Sequence, residues 1–125
     1  MAEKKVKILC LPIKKKWFDM IRSGEKKEEY REIKPYWMNR LGYWHESGEQ
    51  GYWDEGFSKF PDAVCFRNGC SRDAQKFFVV TENIKFGKPK PEWSNNWNGE
   101  ALIFELGTIY LTEESLLNEL TKQKD

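Results

Sequence analysis

Hydrophobic and polar positions alternate from Lys5 to Ile8, and the run then closes apolar through Leu9-Cys10-Leu11. This reads as a strand entering a core, stopped by Pro12. Ile13, Trp17, Met20 and Ile21 follow at helical spacing, with Lys14, Lys15, Lys16 and Arg22 on the remaining arc. The pattern predicts an amphipathic helix of about ten residues, packed through Trp17 and Met20 and ended at Arg22-Ser23-Gly24. From Lys26 to Ile33 the chain is too short for a stable helix and is bounded by Gly24 and Pro35, so an extended strand is expected. Residues two apart in a strand share a face, which sets Glu29, Arg31 and Ile33 on one side and Glu28, Tyr30 and Glu32 on the other. Lys26 stands at the entrance, where the turn at Gly24 can swing its side chain towards Glu29. Pro35 suits the first position of a second helix, which carries Tyr36, Trp37 and Arg40.

Residues 42–61 break the rhythm. Gly42, Gly48, Gly51 and Gly56 punctuate Tyr43, Trp44, Tyr52, Trp53 and Phe57, and the stretch reads as either an ordered lid or a mobile loop. Ala63 to Phe66 is a short apolar strand followed by a tight turn at Asn68-Gly69. Lys76 to Phe86 is the clearest long strand, with Glu82 a candidate for the interior. Gly87 to Gly99 reads as a hairpin connection, and Ala101 to Leu111 as the last strand, with Gly107 permitting a bend or bulge. Thr112 can cap a terminal helix over 113–122 that opens with Glu113 and Glu114 and docks through Leu116, Leu117 and Leu120. The expectation is a single α+β domain over 1–125, with its core within 6–111.

Six Trp, eight Phe and five Tyr in 125 residues predict a core of large rings, or a pocket walled by them. No apolar run approaches the roughly 18 residues needed to cross a bilayer. The charged start Met1-Ala2-Glu3-Lys4-Lys5 lacks a signal core, so a cytoplasmic protein is expected. Cys10, Cys65 and Cys70 form no C-x-x-C pair and share no recognisable zinc spacing with His45, so neither metal nor cofactor is expected. Cys10 and Cys65 lie in apolar runs and read as small buried hydrophobes. Cys70 has no histidine at a defensible position to activate it. His45 reads as an ordinary loop residue or a catalytic base.

Net charge is +1, but it is unevenly spread. Residues 1–40 hold twelve Lys and Arg against six Asp and Glu, and residues 41–125 hold nine against fourteen. A basic part facing an acidic one is what a phosphate-binding face would give, although Lys14, Lys15 and Lys16 also read as plain solvent-face charges. The segment Gly24-Glu-Lys26-Lys-Glu-Glu29-Tyr-Arg31 carries the same ambiguity. As an edge strand, its charges keep other chains from pairing. As a pocket wall, Glu29 would fix Lys26 and Arg31 to meet a phosphate, a carboxylate or an oxyanion. Tyr36, Trp37 and Arg40 follow closely enough to stack on a base or contact a phosphate, or else to anchor their helix, and Arg67 could reach the pocket mouth.

Gly24-x-Lys26-x-x-Glu29-x-Arg31 matches at every specified position the G-x-K-x-x-E-x-R signature of the ASCH domain family, in the PUA-like superfamily of small β-barrels associated with RNA. Leu11-Pro12-Ile13 with Trp17 to Gly24, Phe66-Arg67-Asn68-Gly69, and Leu102 to Ile109 resemble the family's other elements in order. The resemblance implies a PUA-like barrel of about five to six strands with flanking helices. It also implies a cleft binding RNA, a nucleotide or a nucleoside, with Gly24, Lys26, Glu29, Arg31, Tyr36, Trp37, Arg40 and Arg67 as candidate contacts. Some relatives are amidohydrolases acting on acetylated cytidine, and others cut RNA. The amidohydrolases carry a catalytic Lys, matched by Lys26, and a Thr nucleophile where this chain has Glu29. Hydrolysis would then need Glu29 as a base for water, with Lys26 or Arg31 stabilising negative charge. A protein-interaction module is the third expectation.

Overall fold

A computed structural model describes residues 5–47 and 53–122. Among these residues seven strands and three α-helices follow one another as β1 (Ile8–Ile13), α1 (Lys15–Arg22), β2 (Glu28–Arg31), α2 (Pro35–Arg40), β3 (Tyr43–Ser47), β4 (Trp53–Phe57), β5 (Ala63–Asn68), β6 (Lys76–Gly87), β7 (Ala101–Tyr110) and α3 (Glu113–Lys122). Five strands form one mixed sheet in the order β1-β5-β6-β7-β2, curled into a half-barrel. β1 and β5 pair in parallel, and the other pairings in this sheet are antiparallel. β1 and β2 are therefore the two edges of the curl.

Strand alternation gives the sheet two apolar faces. On the concave side Leu9, Leu11, Val64, Phe66, Phe77, Val79, Leu102 and Phe104 pack against Phe18 and Ile21 of α1 and against Leu41. Of the stripe expected on α1, Ile21 is buried and Trp17 packs half-buried against the core, whereas Met20 is half-buried, Ile13 belongs to β1, and Phe18, outside the expected stripe, is the buried anchor at 1% exposure. On the other side Ala63, Cys65 and Phe78 meet Leu116 and Leu120 of α3. The backbone N–H of Ser115 donates to Thr112 Oγ1 at 3.1 Å, the cap expected for this helix.

Several elements depart from the sequence reading. Residues 43–47 and 53–57 are no loop. They form a two-stranded hairpin, with residues 48–52, including Gly48, Gly51 and Tyr52, outside the described residues. Its alternation is hidden because Glu46 faces Asp54 and Trp44 faces Gly56 across the pair. Tyr43 and Phe57 hold it to Phe86 of β6, with ring centroids 5.5 and 5.9 Å apart. Glu82 does not face the interior. The β6–β7 register slips by one residue on β7 at Gly107-Thr108 and back by one at Glu82, leaving Glu82 exposed and Thr81 buried. The absence of a side chain at Gly107 leaves room for the Glu82 side chain, whose Oε1 would lie 2.7 Å from a Cβ there. Cys10 is exposed, whereas Cys65 is buried.

Candidate functional site

The chain leaves α1 through Gly24, whose φ of +88° suits glycine, and the backbone N–H of Lys26 donates to the Met20 carbonyl at 2.9 Å. That turn folds Lys26 under β2. Its Nζ donates to the Glu28 carbonyl and, at 3.0 Å, to Glu29 Oε1. The other carboxylate oxygen, Oε2, accepts from Arg31 Nη2 at 2.9 Å. Glu29 and Arg31 thus share a face of β2, and Tyr30 and Glu28 share the other, where the Tyr30 hydroxyl donates to Glu28 Oε1 at 2.7 Å. Arg31 Nη2 also reaches the Pro12 carbonyl at 3.5 Å, so a single guanidinium joins β2 to the opposite edge of the half-barrel.

Burial grades along this chain of charges. The side chains of Lys26, Glu29 and Arg31 are 1%, 8% and 22% exposed. Lys26 Nζ lies 4.8 Å from the centre of the Tyr30 ring and 5.5 Å from that of Trp17. Desolvation pulls the Lys26 pKa below its ordinary value and outweighs the opposing attraction of Glu29. The Glu29 ion pair therefore does not fully offset the cost of burying the lysine's charge. Tyr30 is shifted upward, by burial and then by its bond to Glu28.

Beside the clasp between β1 and β2 opens a cleft of about 580 Å³, within the range of small-molecule sites. Glu29, Tyr30 and Arg31 line one wall, and Pro12, Ile13, Lys14 and Trp17 line a second. Gly69 and Cys70, in the β5–β6 turn, form part of the rim. The remaining wall is the β6–β7 connection, which contributes Trp93, Ser94, Asn95 and Trp97. This connection is tied to β2 through Tyr30, whose hydroxyl accepts the Lys90 N–H at 3.1 Å. Trp93 and Trp97 pack against Tyr30, Ala101 and Ile103.

The expected site residues are not all gathered here. Glu29 and Arg31 line the cleft, while Lys26 lies behind them. With Gly24, Lys26 borders a separate cavity of about 150 Å³ that also touches Leu106 and Gly107. Trp37 supports Arg31 from below, with the guanidinium 5.4 Å from its ring centre, and Tyr36 is exposed with its ring edge-on to Trp37. Arg40, in the last turn of α2, instead lines a separate depression with Lys59 and Pro61. Arg67 donates to the Ser71 carbonyl at 2.8 Å and so braces the turn that carries Cys70, without lining the cleft itself. His45 is exposed on β3 and is not among the cleft-lining residues.

The basic first third does not converge as a block. Lys14 and Arg31 are the cleft-lining cations among the described residues, while Lys15 pairs with Asp19 at 2.6 Å and Lys16 covers the Trp17 ring. Trp93 and Trp97 are the functional candidates that the sequence reading passed over. The available signal was two large rings in a connection whose other residues are all Gly, Pro, Lys, Glu, Ser or Asn, where nothing local would bury them. Among the described residues no group of three or more His, Cys, Asp or Glu is placed to hold a metal ion, and no helix is long and apolar enough to cross a membrane. Comparison of the chain with protein-family models, curated proteins and solved structures finds no match.

Proposed function

We propose that this chain is an ASCH-type, PUA-like module that binds RNA or a nucleotide by taking one base into the cleft between the half-barrel's edges. The observation that carries the reading is the lining. Three tryptophans and a tyrosine surround a cavity whose wall also presents Arg31 and Lys14. Bases of any identity offer a π-face to such rings, each stack contributing about 1–3 kcal/mol. Both hydrogen bonds of the Arg31 guanidinium use Nη2, which leaves Nη1 for a phosphate or a base edge among the described contacts.

A hydrolytic role fits the same geometry less well. Both Glu29 oxygens are engaged by cations, one by Lys26 and the other by Arg31, so a water to be activated would have to compete with both for the carboxylate. Lys26, the counterpart of the hydrolases' catalytic lysine, is screened from the cleft behind Glu29.

Tryptophan fluorescence should be titrated with nucleosides, nucleotides and short RNAs at low and high salt. Quenching that saturates, weakens steeply with salt for phosphate-bearing ligands and is lost in Arg31→Met is expected. No saturable quenching and no thermal stabilisation by any of these ligands would overturn the reading and favour a protein-interaction role.

A further inference from the structure

β1 and β5 run in parallel with Cys10 directly opposite Cys65. Leu9 and Leu11 of β1 and Val64 and Phe66 of β5 point into the concave core, so alternation sends Cys10 and Cys65 together to the convex face. Neighbouring strands lie about 4.8 Å apart, inside the Cα separation of about 4.4–6.8 Å that a disulfide spans. The two side chains are thus cross-strand neighbours on one face of the sheet. Their access to solvent differs sharply: Cys10 is exposed, whereas Cys65 is 3% exposed beside Phe78 and Leu116. Burial, followed by the neighbouring Cys10 thiol, pushes the Cys65 thiol up to about 11, which keeps it protonated at neutral pH. Arg67 and Lys76 oppose that shift and lend the pair a positive surrounding.

We propose that Cys10 and Cys65 form an oxidisable dithiol, in which Cys10 is attacked by hydroperoxides and Cys65 resolves the product to an intramolecular disulfide. In the first step the Cys10 thiolate attacks one peroxide oxygen. An S–O bond forms, the O–O bond breaks, and the departing alkoxide or hydroxide takes a proton from water. Cys10 is oxidised by two electrons to a sulfenic acid while the hydroperoxide is reduced to an alcohol, or to water when it is hydrogen peroxide. In the second step the Cys65 sulfur attacks the Cys10 sulfur. The S–S bond forms, the S–O bond breaks, and the hydroxide leaves as water with the Cys65 proton. Two thiols and one hydroperoxide thus give one disulfide, one alcohol and one water. Cys65 needs no access to solvent for its part, since its target is the adjacent side chain.

The site lies apart from the cleft, and Cys70 on the cleft rim provides an internal control. The full chain should be treated with stoichiometric hydrogen peroxide, alkylated with N-ethylmaleimide under denaturing conditions and analysed by peptide mass spectrometry. The expected product has lost two alkylation sites and two hydrogens, contains a Cys10–Cys65 linked peptide, retains an alkylated Cys70, and is restored by dithiothreitol. Cys10→Ser should reduce the linked product to background and leave Cys65 alkylatable. Cys65→Ala should leave a Cys10 sulfenic acid that dimedone traps. Because Cys10 is exposed, the first variant carries the test even if the second misfolds. Cys10 and Cys65 both remaining alkylatable, Cys10 passing to sulfinic acid with Cys65 intact, or linkage through Cys70 would each overturn the proposal.

Discussion

On the β2 side of the cleft the side chains are charged, largely buried and bonded to one another, whereas residues 88–99 on the facing side contribute aromatic rings that are half-buried on an irregular connection. Lys26, Glu29 and Arg31 are fixed by one another, by a four-residue strand and by the Pro12 carbonyl across the seam. The tryptophans depend on a short 3-10 turn at Pro91–Trp93, on packing, and on the Tyr30–Lys90 bond. A buried charge is costly once its partner is gone, while a ring over a concavity loses contact area gradually. Substitutions of the buried pair Lys26 and Glu29 should therefore register mainly as stability, and those in the connection, like those of Arg31 at the cleft wall, mainly as ligand affinity.

The largest effect should come from Glu29→Ala, which removes the counterion of a lysine that is almost fully buried. Chemical denaturation is expected to show a loss of about 3–5 kcal/mol. Lys26→Met should cost clearly less, because Glu29 keeps Arg31 and a linear apolar chain can fill the same space between Trp17 and Tyr30. Equal losses in the two variants would mean that the carboxylate is anchored mainly through Lys26, and the division between the two sides of the cleft would need redrawing.

On the facing side, Trp93→Ala and Trp97→Ala should each weaken binding of a base-bearing ligand by about 1–3 kcal/mol, as read by calorimetric titration. Their denaturation midpoints should fall less than that of Glu29→Ala. A tryptophan variant that unfolds as readily as the glutamate variant would make the rings part of the core rather than a recognition surface.

The same asymmetry explains what could be read from the sequence. The facing of Glu29 and Arg31, the reach of Lys26, the helix start at Pro35 and the Thr112 cap all follow from local rules, namely a period of two, a turn at glycine, and capping chemistry. The β3–β4 hairpin was hidden because Tyr43 with Phe57 is its one facing pair of two rings, while Trp44 faces Gly56, His45 faces Glu55 and Glu46 faces Asp54, so neither strand shows a continuous apolar face. Phe18, rather than Trp17, anchors α1 because the helix begins after Ile13 has already been used by β1, which a continuous stripe conceals. The cleft itself joins residues 12–17, 29–31, 69–70 and 93–97, and only the curl of the sheet brings those four stretches together.

Tyr30→Phe tests the tie between the two sides. It removes the hydroxyl that accepts the Lys90 N–H and donates to Glu28, and should cost about 0.5–1.5 kcal/mol. Amide exchange at Lys90 should quicken more than exchange within β7. Unchanged exchange at Lys90 would show that the connection is held by the packing of Trp93 and Trp97 alone.

The smallest effect, and the one most specific to β2, is a pH dependence. A base whose pKa falls on folding binds fewer protons in the folded protein than in the unfolded chain, over the window from its folded value up to its ordinary 10.5. Stability therefore rises with pH across that window, and below it the penalty for burying the Lys26 cation is present in full. Tyr30 and Cys65 act in the opposite sense. Their pKa values are raised on folding, so the stabilisation they provide is complete below the ordinary 10.0 and 9.0 and declines as pH climbs above those values. The difference between the wild type and Lys26→Met cancels these common contributions. Urea denaturation from neutral pH to above 10.5 should show the stability of the wild type, relative to the variant, increasing through the window and then levelling. A flat difference would mean that Glu29 holds Lys26 as strongly protonated in the folded protein as it is in the unfolded chain, so that ion pairing rather than desolvation governs the charged side of the cleft.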